Sequence, residues 1–189
     1  ANPAYVAADL LSQAEHDEEA LPILVTPEER LAREVMNELE RQKNTLNRLS
    51  IMEASLNSQC RLLVTESLEA AVDLANRLAP EHLELALEDP DHWAEKIQNA
   101  GAVFLGHYTP EAVGDYLAGP NHVLPTSGTA RFSSPLGVYD FIKRTSLISY
   151  SRAALEKCGE TVTLLAEMED LGAHANAVKL RTGGAEKKS

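Results

Sequence analysis

Leu78-Ala79-Pro80-Glu81-His82-Leu83 marks the point where an apolar helical pattern ends and a strand pattern begins. Proline has no backbone N–H and disfavours helical geometry in the residue before it, so the helix is expected to end here. A carboxylate and an imidazole then stand side by side, and adjacent side chains can serve one site only where the backbone turns. Two such groups suit a reaction with more than one proton transfer. The alternative interpretation is a solvated Glu81 beside a histidine that merely opens a strand.

Around this corner, short apolar strands alternate with amphipathic helices. Strands are predicted at 23–26, 61–64, 82–87 and 102–105, and helices at about 26–49, 67–78 and 91–99. Thr26-Pro27-Glu28-Glu29 has the cap, proline and acidic first turn that begin a helix. The alternation predicts an α/β fold with a layered, mostly parallel sheet, an incomplete Rossmann-like domain that carries a small C-terminal helical appendage. No glycine-rich phosphate-binding motif accompanies it.

The C-terminal part of the chain has a different composition. Glycine and proline are concentrated between Gly106 and Gly137, which predicts mainly loop. Beyond this stretch we predict a strand at 145–150, helices at 152–169 and 173–181, and a disordered tail at 183–189. We therefore divide the chain into an α/β domain, residues 1–135, which carries most of the candidate metal and catalytic residues, and a helical tail, residues 136–189.

Composition excludes several classes of partner. The 189 residues carry 17 basic and 29 acidic side chains, a net charge of −12, which argues against nucleic acid and anionic membranes as partners. No apolar run approaches the roughly 18 residues that a membrane span needs. Cys60 and Cys158 lack metal-type spacing, so reduced thiols and a cytoplasmic location are expected. Because the chain begins without methionine and Val6-Ala7-Ala8-Asp9-Leu10-Leu11 already has a helical pattern, we expect it to begin within a longer protein.

Several polar residues outside the corner are candidate ligands. Gln13 and His16 are three residues apart, so on a helix they share a face. Each candidate alone has an ordinary interpretation: a polar helix end, a turn aspartate, a loop histidine or a helix-capping histidine. Together they provide imidazoles, a carboxylate and an amide oxygen, which suit zinc with room left for a substrate. The candidates are Gln13, His16, Asp115, His122, Glu169 and His174.

These motifs, in this order, resemble histidinol dehydrogenase over essentially the whole chain. They are Leu10-Leu11-Ser12-Gln13-Ala14-Glu15-His16-Asp17, Ala79-Pro80-Glu81-His82-Leu83-Glu84, Gly114-Asp115-Tyr116, Gly119-Pro120-Asn121-His122-Val123-Leu124-Pro125-Thr126 and Ala173-His174-Ala175. The resemblance implies a zinc enzyme that oxidises L-histidinol to L-histidine via the aldehyde, with NAD, at the end of histidine biosynthesis. It concerns the C-terminal half of the family's chain. NAD contacts are therefore expected mainly upstream, with no cofactor-binding residue here.

The resemblance also implies roles for individual residues. The metal ligands would be Gln13, His16, Asp115 and His174, the last supplied by the other subunit of a homodimer. Glu81 and His82 would form the acid–base pair. The implied substrate contacts are Gln13, His16, His82, Asp115, His122, Glu169 and His174. Asp170 departs from the family's pattern, because a small residue, usually glycine, is expected there.

Physical chemistry gives these residue types a division of labour. Zinc would hold the amine and imidazole nitrogens of histidinol, which positions the substrate rather than activating a water. His82 would take the hydroxyl proton as hydride leaves, and Glu81 would activate the water that attacks the aldehyde.

Two other functions fit the same residues. A zinc hydrolase could use Glu81 or His82 to activate a metal-bound water, and it would turn over without NAD. A catalytically silent fragment would bind zinc and self-associate without producing NADH. The isolated 189 residues are expected to be poorly active and prone to aggregate, because the sheet would leave an edge or an apolar face uncovered.

Overall fold

The computed structural model describes residues 1–183, so the tail predicted to be disordered lies outside the described residues except for Gly183. The chain divides into two compact units, Ala1–Phe141 and Ile142–Ser189, and each is described separately. The first unit contains α1 (Pro3–Ala14), β1 (Ile23–Thr26), α2 (Glu29–Lys43), α3 (Leu49–Ser58), β2 (Arg61–Val64), α4 (Leu68–Leu78), β3 (His82–Leu85), α5 (Pro90–Ala94), β4 (Ala102–Leu105) and α6 (Glu111–Tyr116), followed by 3₁₀ turns at Thr129–Arg131 and Val138–Phe141.

The strands form two parallel pairs. β1 pairs with β2, with Ile23 opposite Arg61, and β3 pairs with β4, with His82 opposite Ala102. Each pair is separated in sequence by helix, as parallel strands require a crossover connection. The predicted α/β architecture with parallel strands and a C-terminal helical part is confirmed.

Helix α1 packs into the main hydrophobic core of the first unit. Its buried residues recur at a spacing of three and four, which places them on one face. They contact apolar side chains of α2 and α3; the core consists of Ala7, Leu10, Leu11, Ala14, Leu31, Val35, Leu39 and Met52. Asp9 and Gln13 are four residues apart on another face of α1. The core therefore fixes the orientation of a helix that carries two polar side chains.

The corner between α4 and β3 has the predicted form. Ser67 caps α4 by accepting the N–H of Ala70 at 3.1 Å, and the helix ends at Leu78. Ala79 is fully buried and adopts a left-handed conformation with φ of 52°, which turns the chain before Pro80. The carbonyls of Pro80 and Glu81 then accept the N–H groups of Gly101 and of Ala102, the first residue of β4, at 2.9 and 2.8 Å.

Gly101 is expected to be required at this corner. A Cβ at position 101 would lie 2.5 Å from the Glu81 carbonyl oxygen and 3.1 Å from Cδ of Pro125. We expect Gly101→Ala to lower the free energy of unfolding by about 1–3 kcal/mol, because the backbone has to shift. Chemical unfolding of the natural protein would measure this. Gly172→Ala is the control, since within residues 1–183 a Cβ there would meet no atom beyond its own neighbours and helix within 4 Å, and its change should stay within about 0.5 kcal/mol. Equal losses in the two variants would contradict the steric explanation.

Two predicted helices in the first unit were too long. The helix predicted to run to about Leu49 ends at Lys43, and α3 is separate. Side chains of Asn44 and Thr45 donate to the carbonyls of Glu40 and Gln42 at 2.7 and 2.8 Å, and such local bonds compete with helix continuation. The helix predicted at 91–99 is α5, Pro90–Ala94. It stops early because the N–H of Gln98 donates to Oδ1 of Asn76 on α4, at 2.6 Å.

The second unit is helical in its described part. It contains α7 (Arg152–Met168) and α8 (Gly172–Thr182). Gly159 of α7 allows close packing, because a Cβ there would lie 2.9 Å from Cγ2 of Thr182. The strand predicted at 145–150 is wrong. Leu147 and Ile148 are 94% and 83% exposed, and the described residues of this unit include no strand that could pair with the segment.

The backbone conformation at Asp170 explains why the family's pattern usually has glycine at this position. It follows α7 with φ of 59°, the left-handed region that glycine adopts without steric cost and that aspartate tolerates better than most residues.

Within residues 1–183, no helix is both long enough and apolar enough to cross a membrane.

Candidate acid–base and metal site

Three elements of the first unit bring ionisable side chains together. The chain just after α1 carries His16, the start of β3 carries Glu81 and His82, and α6 carries Glu111 and Asp115. Donor atoms of His82, Glu111 and Asp115 all lie within 4.8 Å of one another. His16 is close enough to influence the protonation of Glu81, His82 and Glu111. The structure therefore places His16, Glu81, His82 and Asp115, four of the residues singled out in the sequence, around one centre.

Glu81 and His82 occupy different backbone states, as the corner predicts. Glu81 lies in the bend before β3, and His82 is the first residue of the strand. Burial raises the pKa of the Glu81 carboxyl, and the carboxylates of Glu111 and Asp115 act in the same direction, whereas His82 and His16 oppose the change. Burial lowers the pKa of the His82 imidazole. A raised pKa makes the Glu81 carboxylate a stronger base than an ordinary carboxylate, and a lowered pKa favours the unprotonated imidazole that a proton acceptor needs.

Glu111 is the residue that the sequence interpretation missed. Its Oε1 lies 3.6 Å from Nδ1 of His82, and both side chains are largely buried. Burial raises the pKa of Glu111, and the carboxylate of Asp115 acts in the same direction. Thr109-Pro110-Glu111 resembles a helix start, and Glu111 and Asp115 are four residues apart. That signal was available, but the glycine-rich composition favoured a loop.

Phe104 packs beside His82 at this centre, and Gly114 packs against Phe104. The Phe104 ring lies 5.9 Å from the His82 ring, centroid to centroid. A Cβ at position 114 would lie 2.6 Å from Cε1 of Phe104, so glycine allows α6 to approach the aromatic ring closely. Phe104 is 7% exposed. An apolar wall of this kind lowers the local dielectric around the imidazole.

The donor set at this centre fits a divalent ion of the zinc type. It offers an imidazole nitrogen and two carboxylate oxygens at a mutual spacing that one ion can bridge. Only Asp115 belongs both to this group and to the four ligands implied by the resemblance. His16 lies in the turn after α1, where its N–H donates to the Gln13 carbonyl at 3.3 Å, and its side chain is exposed.

The remaining predicted site residues lie in different surroundings. Gln13 is half-buried in the last turn of α1, and His122 is exposed in the loop after α6, outside the donor group described above. Glu169 follows α7 and His174 lies in the first turn of α8, and both are exposed in the second unit. Their predicted roles as substrate or metal contacts stay predictions.

Comparison with known proteins gives a consistent result. The family model described as histidinol dehydrogenase matches residues 1–182. The histidinol dehydrogenase of Halalkalibacterium halodurans is 58% identical over 181 residues, which are 96% of this chain and 43% of the relative. That of Nitrosomonas europaea is 53% identical over 180 residues, 95% of this chain and 42% of the relative. The chain thus spans about two-fifths of the length of these curated relatives.

A solved structure shows the same fold. The crystal structure of histidinol dehydrogenase from Elizabethkingia anophelis superposes with a TM-score of 0.88 at 40% identity. The match covers 97% of this chain and 42% of that one.

Proposed function

Because this chain belongs to the histidinol dehydrogenase family of oxidoreductases, we propose that it provides the acid–base and metal-binding residues for the oxidation of L-histidinol to L-histidine through the aldehyde. The observation that carries the proposal is the convergence of His82, Glu111 and Asp115 within 4.8 Å, with Glu81 and His16 beside them. Family membership favours oxidation over hydrolysis, which was the enzymatic alternative.

His82 is the proposed base of the alcohol oxidation. Its Nδ1 faces the Glu111 carboxyl, which leaves Nε2 to accept the proton from the substrate hydroxyl while hydride leaves the adjacent carbon. The lowered pKa keeps the imidazole unprotonated before that transfer. We assign Glu111 the role of orienting the ring, as a carboxyl group does for a catalytic histidine in other enzymes.

Glu81 is the proposed base for the second oxidation. An aldehyde must take up water before it can lose a second hydride, because the carboxylate product contains one more oxygen. Glu81 would remove a proton from that water as its oxygen bonds to the aldehyde carbon. Its position in the bend before β3 separates it from His82 by a single peptide while directing it differently.

The proposed metal and nicotinamide contacts complete the site. Zinc, when bound, would hold the amine and imidazole nitrogens of the substrate; Asp115 has the most support as a ligand, and Gln13, His16 and His174 are the others. NAD, when bound, accepts a hydride in each oxidation. We place the NAD contacts in the portion of the family's chain that the match leaves uncovered, since 42–43% of each compared relative is matched here.

A homodimer and a cytoplasmic location are also proposed. His174 is exposed on α8, where it is available to a second subunit, and the second unit exposes apolar side chains such as Leu147 and Ile148. An interface would cover such side chains. Cys60 and Cys158 are free thiols, which suits a reducing compartment.

Zinc retention tests the metal part of this proposal. We expect Asp115→Ala in the full-length natural protein to weaken zinc binding by at least about 10–100-fold, the loss typical of removing even a residue that only supports a ligand. Elemental analysis after dialysis against a weak chelator would measure the retained metal. Asp73→Ala is the matched control, because Asp73 is an exposed carboxylate on α4. Full zinc retention by the Asp115 variant would show that the metal is held elsewhere.

A further inference from the structure

Glu84 joins two of the elements that form the site. It stands two residues after His82 on β3, so both side chains leave the same face of the strand. One carboxyl oxygen of Glu84 accepts the backbone N–H of Glu111 at 3.0 Å. That N–H is the first of α6 and has no acceptor within the helix, and Pro110 before it provides no side-chain cap. Glu84 therefore holds the start of the helix that carries Glu111 and Asp115.

Asp9 connects α1, the third element of the site, to Glu84. Its carboxyl group, on α1, is within hydrogen-bonding reach of the carboxyl group of Glu84, and the two side chains line the same cavity. Two carboxyl groups can share a hydrogen bond only if one of them is protonated. Burial raises the pKa of Glu84 to about 8 and also raises the pKa of Asp9, so a proton held between the two carboxyl groups is favoured.

Asp9 and Glu84 each stand close in the chain to a residue of the proposed site. Asp9 precedes Gln13 by one helical turn, and Glu84 follows His82 by two strand positions. Glu111 donates its backbone N–H to the pair, while its own side chain lies 3.6 Å from Nδ1 of His82. A change in the length or direction of these two hydrogen bonds would move α1, β3 and α6 relative to one another.

We infer that the hydrogen-bonded Asp9–Glu84 pair is a positioning device that sets the spacing between the metal-binding and acid–base residues. The inference rests on the proposed function, because it concerns the geometry of the same site. Neither residue is assigned a contact with substrate, so they are positioning residues and not catalytic ones. Precise spacing matters because a misplacement of about 1 Å can cost on the order of 10²-fold in rate.

Substitutions at Glu84 separate positioning from simple stabilisation. In Glu84→Gln, the amide oxygen can still accept the N–H of Glu111 and the amide NH₂ can donate to Asp9, so both hydrogen bonds survive. In Glu84→Leu, a side chain of similar size makes neither. We expect the Gln variant of the full-length natural protein to keep the kcat for histidinol, and the Leu variant to lose on the order of 10²-fold.

The readouts are kcat, zinc affinity and melting temperature, measured on the folded fraction of each variant. Equal kcat and zinc affinity in the Gln and Leu variants, with only the melting temperature lowered in the latter, would overturn the inference. If the Leu variant does not fold, Asp9→Ala and Asp9→Asn decide the question. The Asn side chain can donate to Glu84, so it should restore what the Ala variant loses; equal kcat in these two would also overturn the inference. An unsubstituted protein without histidinol-dependent NADH formation would instead refute the proposed function.

Discussion

Replacement of His82 by Asn is expected to slow the oxidation of L-histidinol by about 10²–10⁴-fold in kcat, the usual contribution of a positioned general base. Asn has similar polarity but cannot accept the hydroxyl proton at neutral pH. The KM for histidinol should change much less, because the proposed metal ligands that hold the substrate remain. Steady-state NADH formation by the full-length natural protein would measure both constants.

His92→Asn is the matched control for this prediction. His92 is an exposed histidine on α5 of the same unit, and its ring packs edge-on against Trp93. Its kcat should equal that of the unsubstituted protein. If His82→Asn retained full kcat, the base of the alcohol oxidation would have to be a different residue.

Replacement of Glu81 by Gln is expected to slow aldehyde oxidation by about 10²–10⁴-fold while affecting alcohol oxidation less. Gln keeps the size of the side chain but cannot take a proton from the water that adds to the aldehyde. Single-turnover NADH formation, started either from L-histidinol or from the aldehyde, would report the two oxidations separately. With histidinol, the variant should form its first NADH quickly and its second slowly.

Glu88→Gln provides the control for charge removal, since Glu88 is an exposed carboxylate in the loop after β3. It should leave both oxidations unchanged. Equal losses in the two oxidations of the Glu81 variant would contradict the division of labour between Glu81 and His82, and would indicate that Glu81 acts on the structure of the site as a whole.

Local sequence signals predicted the parts of the fold that depend on neighbouring residues. Ala79-Pro80 stops α4 through the geometry of proline, and Ser67 caps the same helix, so both ends were visible in the sequence. The break after Lys43 was not, because it contains no proline or glycine and arises from side-chain bonds of Asn44 and Thr45. The early end of α5 depends on Asn76, which lies more than 20 residues away in the chain.

The candidate site was likewise predictable only where local motifs marked its residues. Motif order picked out His16, Glu81, His82 and Asp115, and the structure places them around one centre. Glu111 and Glu84 were missed because their importance arises from contacts between elements: a 3.6 Å approach to His82 and a 3.0 Å hydrogen bond across 27 residues. Periodicity within one helix or strand carries no information on such contacts.

The most direct test is the number of NADH molecules formed per L-histidinol consumed by the full-length natural protein loaded with zinc. Oxidation of an alcohol to a carboxylate releases two hydrides, so about two equivalents of NADH are expected, with L-histidine as the product. Zinc binding and self-association without any NADH would instead identify a catalytically silent protein, and would contradict the assignment of His82 and Glu81 to the two oxidations.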